Sequence, residues 1–295
     1  MPLWGPVTLD GMTVYIGYGL RRIYLEVYAM RKTLLCSAAV LFALCAPVIS
    51  VAQSGNPDLR ELKLVAQLPA EVPQRIMGLA YDGEKIWASI YHGRGRYVTL
   101  DPATLNWETN TEIQHYKVIS TVAGAFESPG GVCFAKDQIW ITGSYGESFG
   151  SIDPKTWKVT RLFKGKQRED MASQSYSSVA FDGNYLWIAW HWFRYDLPVS
   201  ETQLLLKVDP ESGKVVAQYP VAGGTRNDAT HGLTWDGTKL WHIKDNKLSS
   251  VDPSTGEMTA QYMLSHLKSP SGLAWANNAL WIAEFDGKVW RLPFR

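Results

Sequence analysis

The sequence predicts an all-β protein, a five-bladed β-propeller made of four-stranded antiparallel blades. Three observations lead to this prediction. A Trp-containing segment recurs five times, Asp-Pro turns recur between the copies, and capped helical runs are absent. Short strands repeating every 40 to 50 residues or so are typical of propeller blades.

The recurring segment is expected to be the β-hairpin that forms the two inner strands of each blade. Asp-Gly or an equivalent pair separates two apolar runs, and Asp and Gly both tolerate positive φ, so a tight turn is predicted there. The second run carries the repeat tryptophans, which should fill the space between blades; they are Trp87, Trp140, Trp187, Trp241 and Trp281. His242 directly follows one of them and is interpreted as a buried, hydrogen-bonded residue rather than a catalyst.

A third strand in each of the first four repeats ends in an Asp-Pro turn. The first residues of these turns are Asp101, Asp153, Asp209 and Asp252. Pro presets φ at the turn, and Gly213 and Gly256 can supply the left-handed residue in two of them. A fourth strand follows each turn, which gives four strands per repeat.

The last repeat stops after its third strand, so its fourth strand must come from elsewhere. The segment 63–69 near the other end of the chain reads almost like the fourth strand at 214–220. We therefore expect 63–69 to complete the last blade and close the ring, which removes an open sheet edge. A sixth, degenerate unit within 155–176 is the alternative to five blades.

The N-terminal region has the pattern of a targeting segment rather than of part of the fold. Two basic residues, Arg31 and Lys32, follow Met30, and an apolar run and the small residues Ser50 and Ala52 come after them. This order predicts a signal peptide at 30–52. Residues 1–29 are interpreted as a mis-assigned upstream extension, and 53–295 as a single propeller domain. A membrane anchor is the alternative. We expect a periplasmic or secreted protein with no membrane association after cleavage, held together without an internal disulfide because Cys133 alone remains.

Composition excludes several classes of function. With 29 Lys and Arg against 28 Asp and Glu, the chain offers no electrostatic case for nucleic acid. The sequence contains no nucleophilic serine motif and no Rossmann fingerprint. We expect no cofactor, and a monomer.

Functional residues are expected on the face formed by the second turns and the blade-to-blade crossings, because these loops vary most in length and sequence. The polar and aromatic mixture there suits a small polar ligand or a peptide. The candidate ligand-binding residues are Arg75, Tyr91, His92, Tyr145, Glu147, His191, Trp192, Arg194, His231 and Asp286.

Three narrower arrangements are possible on this face. The histidines at 92, 191 and 231 could hold a metal ion with Asp245 or Glu284. Acidic residues could form a general acid/base pair of the glycosidase type. Aromatic residues could form a stacking wall; they are Trp190, Trp192, Phe193 and Tyr195.

The segments 230–237 and 252–256 resemble the repeats of exported bacterial five-bladed propellers of the quinoprotein-like and glutaminyl cyclase-like group. Glutaminyl cyclases convert N-terminal glutamine to pyroglutamate without a redox cofactor, so this resemblance implies the same reaction as one option. That family carries an acid at the start of its inner strands, whereas the matching segments here, 75–79, 128–131 and 269–273, carry none. Its catalytic residues therefore do not carry over, and Glu284 or Asp245 would have to supply the acid.

The leading expectation is a propeller that binds a small polar ligand or peptide on its loop-rich face. The alternative is a glutaminyl-peptide cyclotransferase-like enzyme with Glu284 and Asp245 as catalytic residues. A metal-dependent lyase or hydrolase is the third option.

Overall fold

The computed structural model describes residues 4–9, 12–17, 56–72, 75–90, 96–108, 129–143, 148–164, 174–192, 197–221 and 230–294. The chain divides into two compact units, Met1–Ala52 and Gln53–Arg295. In the first unit, β1 (Trp4–Leu9) and β2 (Met12–Gly17) form an antiparallel hairpin. The predicted signal peptide at 30–52 lies outside the described residues. No helix in the described ranges has the length and apolar character needed to cross a bilayer.

The described part of the second unit forms five four-stranded antiparallel sheets, the blades of a propeller, which confirms the predicted fold. Blades 1 to 4 run in sequence order from the innermost strand outward. Blade 1 comprises β4 (Ile76–Tyr81), β5 (Ile86–Ile90), β6 (Arg96–Leu100) and β7 (Trp107–Glu108). Blade 2 comprises β8 (Pro129–Ala135), β9 (Gln138–Gly143), β10 (Ser148–Ile152) and β11 (Val159–Lys164). Within 155–176, the described residues belong to blades 2 and 3 rather than to a sixth sheet.

Blades 3 to 5 complete the ring. Blade 3 comprises β12 (Gln174–Phe181), β13 (Leu186–Trp192), β14 (Gln203–Val208) and β15 (Val215–Pro220). Blade 4 comprises β16 (His231–Trp235), β17 (Leu240–Lys244), β18 (Lys247–Val251) and β19 (Met258–Met263). Blade 5 comprises β20 (Pro270–Ala276), β21 (Ala279–Glu284), β22 (Lys288–Pro293) and, as its outermost strand, β3 (Lys63–Gln67). A single helical turn, α1 (Val199–Thr202), precedes β14.

Ring closure by the N-terminal strand is confirmed. β3 pairs antiparallel with β22, with Ala66 opposite Val289 and Lys63 opposite Arg291. The innermost strands contact one another around the ring, and β20 of blade 5 contacts β4 of blade 1. Because β3 and β22 pair, the first and last strands of the propeller belong to the same sheet.

The hydrophobic core consists of clusters between neighbouring blades, and a repeat tryptophan lies in each. Trp187 of blade 3 packs with Leu233, Leu240 and Val251 of blade 4, and the other repeat tryptophans follow the same pattern. Four of them are at most 1 % exposed, while Trp87 is partly buried. The prediction that they fill the space between blades is confirmed, and burial of such large rings contributes strongly to stability.

The Asp of each Asp-Gly turn stabilises the turn through its side chain. Only the glycines adopt positive φ, for example +104° at Gly83 and +100° at Gly237. The Asp236 side chain instead caps the turn: its Oδ1 accepts from Thr238 and Lys239 N–H at 2.7 Å each, and its Oδ2 accepts from Trp241 Nε1 at 2.7 Å. The predicted tight turns are confirmed, and the carboxylate of the Asp bonds the turn amides, as in an Asx-turn.

The Asp-Pro turns have the predicted left-handed glycines, with φ of +68° at Gly213 and +73° at Gly256. In each turn the leading carboxylate accepts hydrogen bonds from backbone N–H groups one or two residues beyond the proline, as Asp209 does from Glu211 and Ser212. Hydrogen bonds from backbone N–H groups lower the pKa of Asp101, Asp153 and Asp209. The pKa of Asp252 is lowered most by the hydrogen bond from the Ser254 hydroxyl and then by the Ser254 N–H.

Candidate functional site

The second turns and the crossings between blades lie at the same end of the strands, which we call the second-turn face. Five of the predicted ligand-binding residues on this face lie outside the described residues; they are Tyr91, His92, Tyr145, Glu147 and Arg194. The described part of the face includes strand ends, the turns at 245–246 and 285–287, and the crossing at 264–269.

Every innermost strand contains a β-bulge near its start at this face. The register shifts lie between Ile76 and Gly78, Pro129 and Val132, Tyr176 and Ser178, His231 and Leu233, and Pro270 and Gly272. Bulges bend a strand and are common next to functional sites. At the bulge of β8, the backbone of Gly131 comes close to that of β12 in the next blade. A Cβ on Gly131 would lie 2.4 Å from Ser178 Cα, so glycine is needed there.

Ser177 and Ser271, near the starts of two innermost strands, are bonded to the scaffold. Ser177 Oγ donates to the Thr230 carbonyl at 2.7 Å, which links blade 3 to the strand entry of blade 4. Ser271 Oγ lies 3.5 Å from the Ala283 carbonyl, within blade 5. Both side chains are buried, so they hold neighbouring strands together.

A buried polar group lies between blades 3 and 4 at the second-turn end of their strands. It contains His191 from β13, Gln203 from β14, and His242 and Lys244 from β17; we call it the blade 3–4 cluster. Each of the four side chains is at most 3 % exposed. Side chains alternate along strands, so Trp187 and Ala189 precede His191 on one side of the interface, and Leu240 precedes His242 and Lys244 on the other. This interface is therefore apolar at one end and polar at the other.

The hydrogen bonds in the cluster fix the orientation of the Gln203 amide. The Lys244 ammonium can only donate, and it bonds to Gln203 Oε1. The Gln203 Nε2 group then faces His191 Nε2 at 3.4 Å and donates to it. His191 Nε2 is therefore the acceptor in this arrangement.

His242 is buried as predicted, but its Nδ1 has no hydrogen-bond partner within the described ranges. Burial lowers the pKa of this imidazole to about 4, and the positive charge of Lys244 adds to the effect. His242 is thus neutral near pH 7. A neutral imidazole with an open nitrogen beside an ammonium can accept a proton or a hydrogen bond.

Glu284 occupies the position in blade 5 that Lys244 occupies in blade 4, three residues after the repeat tryptophan. It is 2 % exposed. Its Oε1 accepts from Lys268 N–H at 2.6 Å and from Ser269 N–H at 3.3 Å, and its Oε2 accepts from Trp290 Nε1 at 2.7 Å. The carboxylate therefore fixes the crossing from blade 4 to blade 5. A catalytic role for it stays a prediction.

The remaining predicted residues lie around this end of the propeller without forming one group. Asp245, the second predicted catalytic residue, lies in the β17–β18 turn with φ of +50°. Arg75 is exposed before β4. His231 contacts the edge of Phe285, with ring centroids 5.6 Å apart. Asp286 pairs with Lys288, and its carbonyl accepts from Gln67 of the outermost strand, so it lies at the outer rim of blade 5.

The aromatic and metal hypotheses are only partly covered by the described residues. Trp192 is 4 % exposed, and its ring lies 6.1 Å from that of Trp190. Phe193, Tyr195 and His92 lie outside the described ranges. Among the residues that the structure describes, no group of three or more His, Cys, Asp or Glu side chains is placed to hold a metal ion.

Comparison with known proteins supports the fold. No protein-family model matches the sequence, and no curated protein matches it either. Among solved structures, the glutaminyl cyclase of Myxococcus xanthus superposes with a TM-score of 0.54 at 10 % identity, covering 79 % of this chain and 96 % of that one. The extracellular domain assigned to a one-component system of B. thetaiotaomicron gives a TM-score of 0.42 at 14 % identity, covering 76 % of this chain and 28 % of that one. At such identities the likeness concerns the fold.

Sequence reasoning did not select Gln203 or Lys244 as site residues. A signal for Lys244 was present, since the third position after the repeat tryptophan lies inside the propeller and reads Ile90, Gly143, Trp190, Lys244 and Glu284 in the five blades. A cation or an anion at an interior position is costly and therefore informative. Gln203 carried no such signal, because its position follows a turn of variable length.

Proposed function

We propose that this protein is an exported propeller that binds a small polar ligand or peptide on its second-turn face, with the blade 3–4 cluster as the anchor. The observation that carries the proposal is the buried Lys244–Gln203–His191 chain, which includes an ammonium only 3 % exposed. Burying a charge costs stability unless strong interactions compensate it. Local departures from good packing concentrate at functional sites.

The chemistry of the cluster favours a ligand that is rich in hydrogen-bond acceptors. Lys244 only donates, and its ammonium already bonds the Gln203 amide oxygen, so a ligand carboxylate or amide carbonyl would add a further acceptor. The neutral His242 can accept a hydrogen bond from a ligand N–H through Nδ1. A group with one acceptor and one donor, as in an amino acid or the amide of a peptide, would satisfy both.

Binding can be tested with a calorimetric screen of amino acids, dipeptides and small carboxylates against the purified protein. Lys244→Met should weaken the binding of any hit by about 10-fold to 100-fold, because a charge-assisted hydrogen bond contributes roughly 1.5–3 kcal/mol. Lys239→Met is the control, since Lys239 lies in the first turn of the same blade, at the opposite end of the strands. Equal affinity in the Lys244→Met variant would contradict the proposed anchor.

The second candidate is a glutaminyl-peptide cyclotransferase-like enzyme. The likeness in fold to the Myxococcus xanthus enzyme is compatible with it. The test is ammonia release from N-terminal glutaminyl peptides, with and without a chelator. Release that resists the chelator would support this candidate and would direct mutagenesis to Glu284 and Asp245. Release that the chelator abolishes would favour the metal-dependent alternative, and no release would leave ligand binding as the function.

We further propose that the chain is exported as a monomer after removal of 30–52. The proposal rests on the basic start, the apolar run and the small residues before Ala52. N-terminal sequencing of protein recovered from the periplasm or the medium should begin at Gln53. A mature chain that still begins at Met1 or Met30 would contradict cleavage, and light scattering would give the oligomeric state.

A further inference from the structure

A cavity lies at the outer rim of blade 5, where the N-terminal strand closes the ring. Its volume is about 280 Å³. The lining contains three cationic side chains and one carboxylate; the lining residues are Arg60, Glu61, Lys63, Val65, Arg291 and Pro293. We call this cavity the seam pocket. It lies away from the blade 3–4 cluster and does not depend on the function proposed for that cluster.

Two of the cations lie directly opposite each other. Lys63 of β3 pairs in register with Arg291 of β22, and Arg291 in turn lies opposite Trp281, whose ring is 5.9 Å from the guanidinium carbon. Like charges directly opposite each other on a sheet destabilise it. Neither Lys63 nor Arg291 forms an ion pair within the part of the chain that the structure describes.

Arg60, the third cation, is held differently. Its guanidinium forms a salt bridge with Asp58 at 2.6 Å, with a second contact from Nε at 2.9 Å. The uncompensated positive charge of the seam pocket therefore comes mainly from Lys63 and Arg291, with Glu61 as the carboxylate of the lining.

Blade 2 has the same arrangement of strands but neutralises its cation. Arg161 lies on the outermost strand of blade 2, opposite Ser151, which in turn lies opposite the repeat tryptophan Trp140. Arg161 therefore has the position in blade 2 that Lys63 has in blade 5. Glu211, from the Asp-Pro turn of the next blade, bonds Arg161 at 2.5 Å and Lys136 at 3.0 Å. The blade after blade 5 is blade 1, and its Asp-Pro turn carries exposed Ala103 where blade 3 carries Glu211. The carboxylate that blade 3 supplies to the outer strand of blade 2 has no counterpart at this position of blade 1.

We propose that the seam pocket binds a phosphate or sulfate group between Lys63 and Arg291, in the role that the Glu211 carboxylate has beside Arg161 in blade 2. An Arg guanidinium bonds such oxyanions through two parallel N–H groups, and a Lys ammonium adds a point charge. Because Lys63 belongs to the N-terminal strand and Arg291 to the last strand of the chain, the bound anion stabilises the closure of the ring.

The proposal predicts a specific dependence of thermal stability on the anion. Inorganic phosphate, inorganic sulfate and glucose 6-phosphate are each compared with chloride at equal ionic strength on the purified protein. At ten times its Kd, a bound anion should raise Tm by about 3–5 °C for a chain of this size. A larger rise with glucose 6-phosphate would point to a phosphate ester as the source of the group, and equal rises would point to free oxyanions.

Three variants separate the site from general salt effects. Lys63→Gln and Ala103→Glu should both abolish the anion-dependent rise, and neither should lower Tm in chloride, because each relieves the repulsion at Arg291. Lys207→Gln is the matched control: Lys207 lies opposite Trp187 in blade 3, but Ala217 rather than a second cation faces it. It should keep the full rise.

Three results would overturn the proposal. Phosphate and sulfate stabilise many proteins by exclusion from their surface, so an equal rise in all the variants would assign the effect to that cause. A rise absent from the unaltered protein would exclude the site directly. A lower Tm of Lys63→Gln in chloride would refute the premise that the two cations repel.

Discussion

The replacement of Asp236 by Ala gives a quantitative test of how the repeat stabilises each blade. The Asp236 carboxylate makes two kinds of contact at once, since Oδ1 holds the turn amides of Thr238 and Lys239 and Oδ2 holds Trp241 Nε1. Asp236 is 7 % exposed and Trp241 is 1 % exposed. Ala removes both contacts, and the packing leaves little room for water to replace them.

The expected loss follows from these contacts. A buried indole N–H left without an acceptor costs about 1–3 kcal/mol. Loss of a side chain that caps backbone amides costs about 1 kcal/mol more, by analogy with helix caps. The free energy of unfolding should therefore fall by about 2–4 kcal/mol, a large part of the roughly 5–15 kcal/mol that keeps a domain folded.

Asp82→Ala is the matched control. Asp82 makes the counterparts of three of these hydrogen bonds, from the Glu84 and Lys85 amides and from Trp87 Nε1, but Asp82 is exposed and Trp87 is only partly buried. Asp236 accepts one further hydrogen bond, from Thr238 Oγ1 at 2.9 Å. Water can replace the lost acceptor at Asp82, so the expected loss is about 0.5–1.5 kcal/mol.

Urea denaturation followed by tryptophan fluorescence measures both losses. An unchanged m-value would show that unfolding exposes the same surface and remains two-state in the variants. The decisive quantity is the difference between the two variants. Equal losses, or a loss below about 1 kcal/mol for Asp236→Ala, would refute the argument that burial of the Asp–Trp bond sets its contribution.

Three further predictions concern pH and backbone geometry. Hydrogen bonds lower the pKa of the turn aspartates in the folded state, so their ionised carboxylates stabilise the fold above the ordinary Asp pKa, and this contribution is lost in acid. Asp209→Asn should reduce the pH dependence of the free energy of unfolding below about pH 4, as measured by urea denaturation. The pKa of His242 is lowered to about 4, so the unfolded chain binds a proton that the native state does not, and stability should fall by about 3 kcal/mol between pH 7 and pH 4. His242→Leu should remove that slope, and a slope unchanged in the variant would refute the assignment. Gly213→Ala should lower Tm more than Gly83→Ala, because a Cβ at 213 would lie 2.2 Å from Phe163 whereas one at 83 meets nothing within 4 Å; equal shifts would mean that backbone strain alone matters.

The candidate site was harder to predict from the sequence than the fold, and Glu284 illustrates why. Its position after the turn from β20 to β21 could be predicted, and its acidic character suggested proton transfer. Its three hydrogen-bond donors come from Lys268, Ser269 and Trp290, which belong to a crossing and to another strand. Where those donors point depends on the bend of the crossing, which no local pattern encodes.

The sequence by itself determined the blades, their turns and the strand that closes the ring. Strand alternation, Asp-Pro turns and left-handed glycines act over a few residues, and the likeness of segments 63–69 and 214–220 is a direct comparison of residues. Tertiary structure alone decided which polar side chains meet. Lys244 and Gln203 are 41 residues apart and belong to different blades, and Lys63 and Arg291 come from opposite ends of the propeller chain. Such contacts depend on which side of a strand each residue occupies and on how neighbouring blades pack, and both are settled only when the ring is complete.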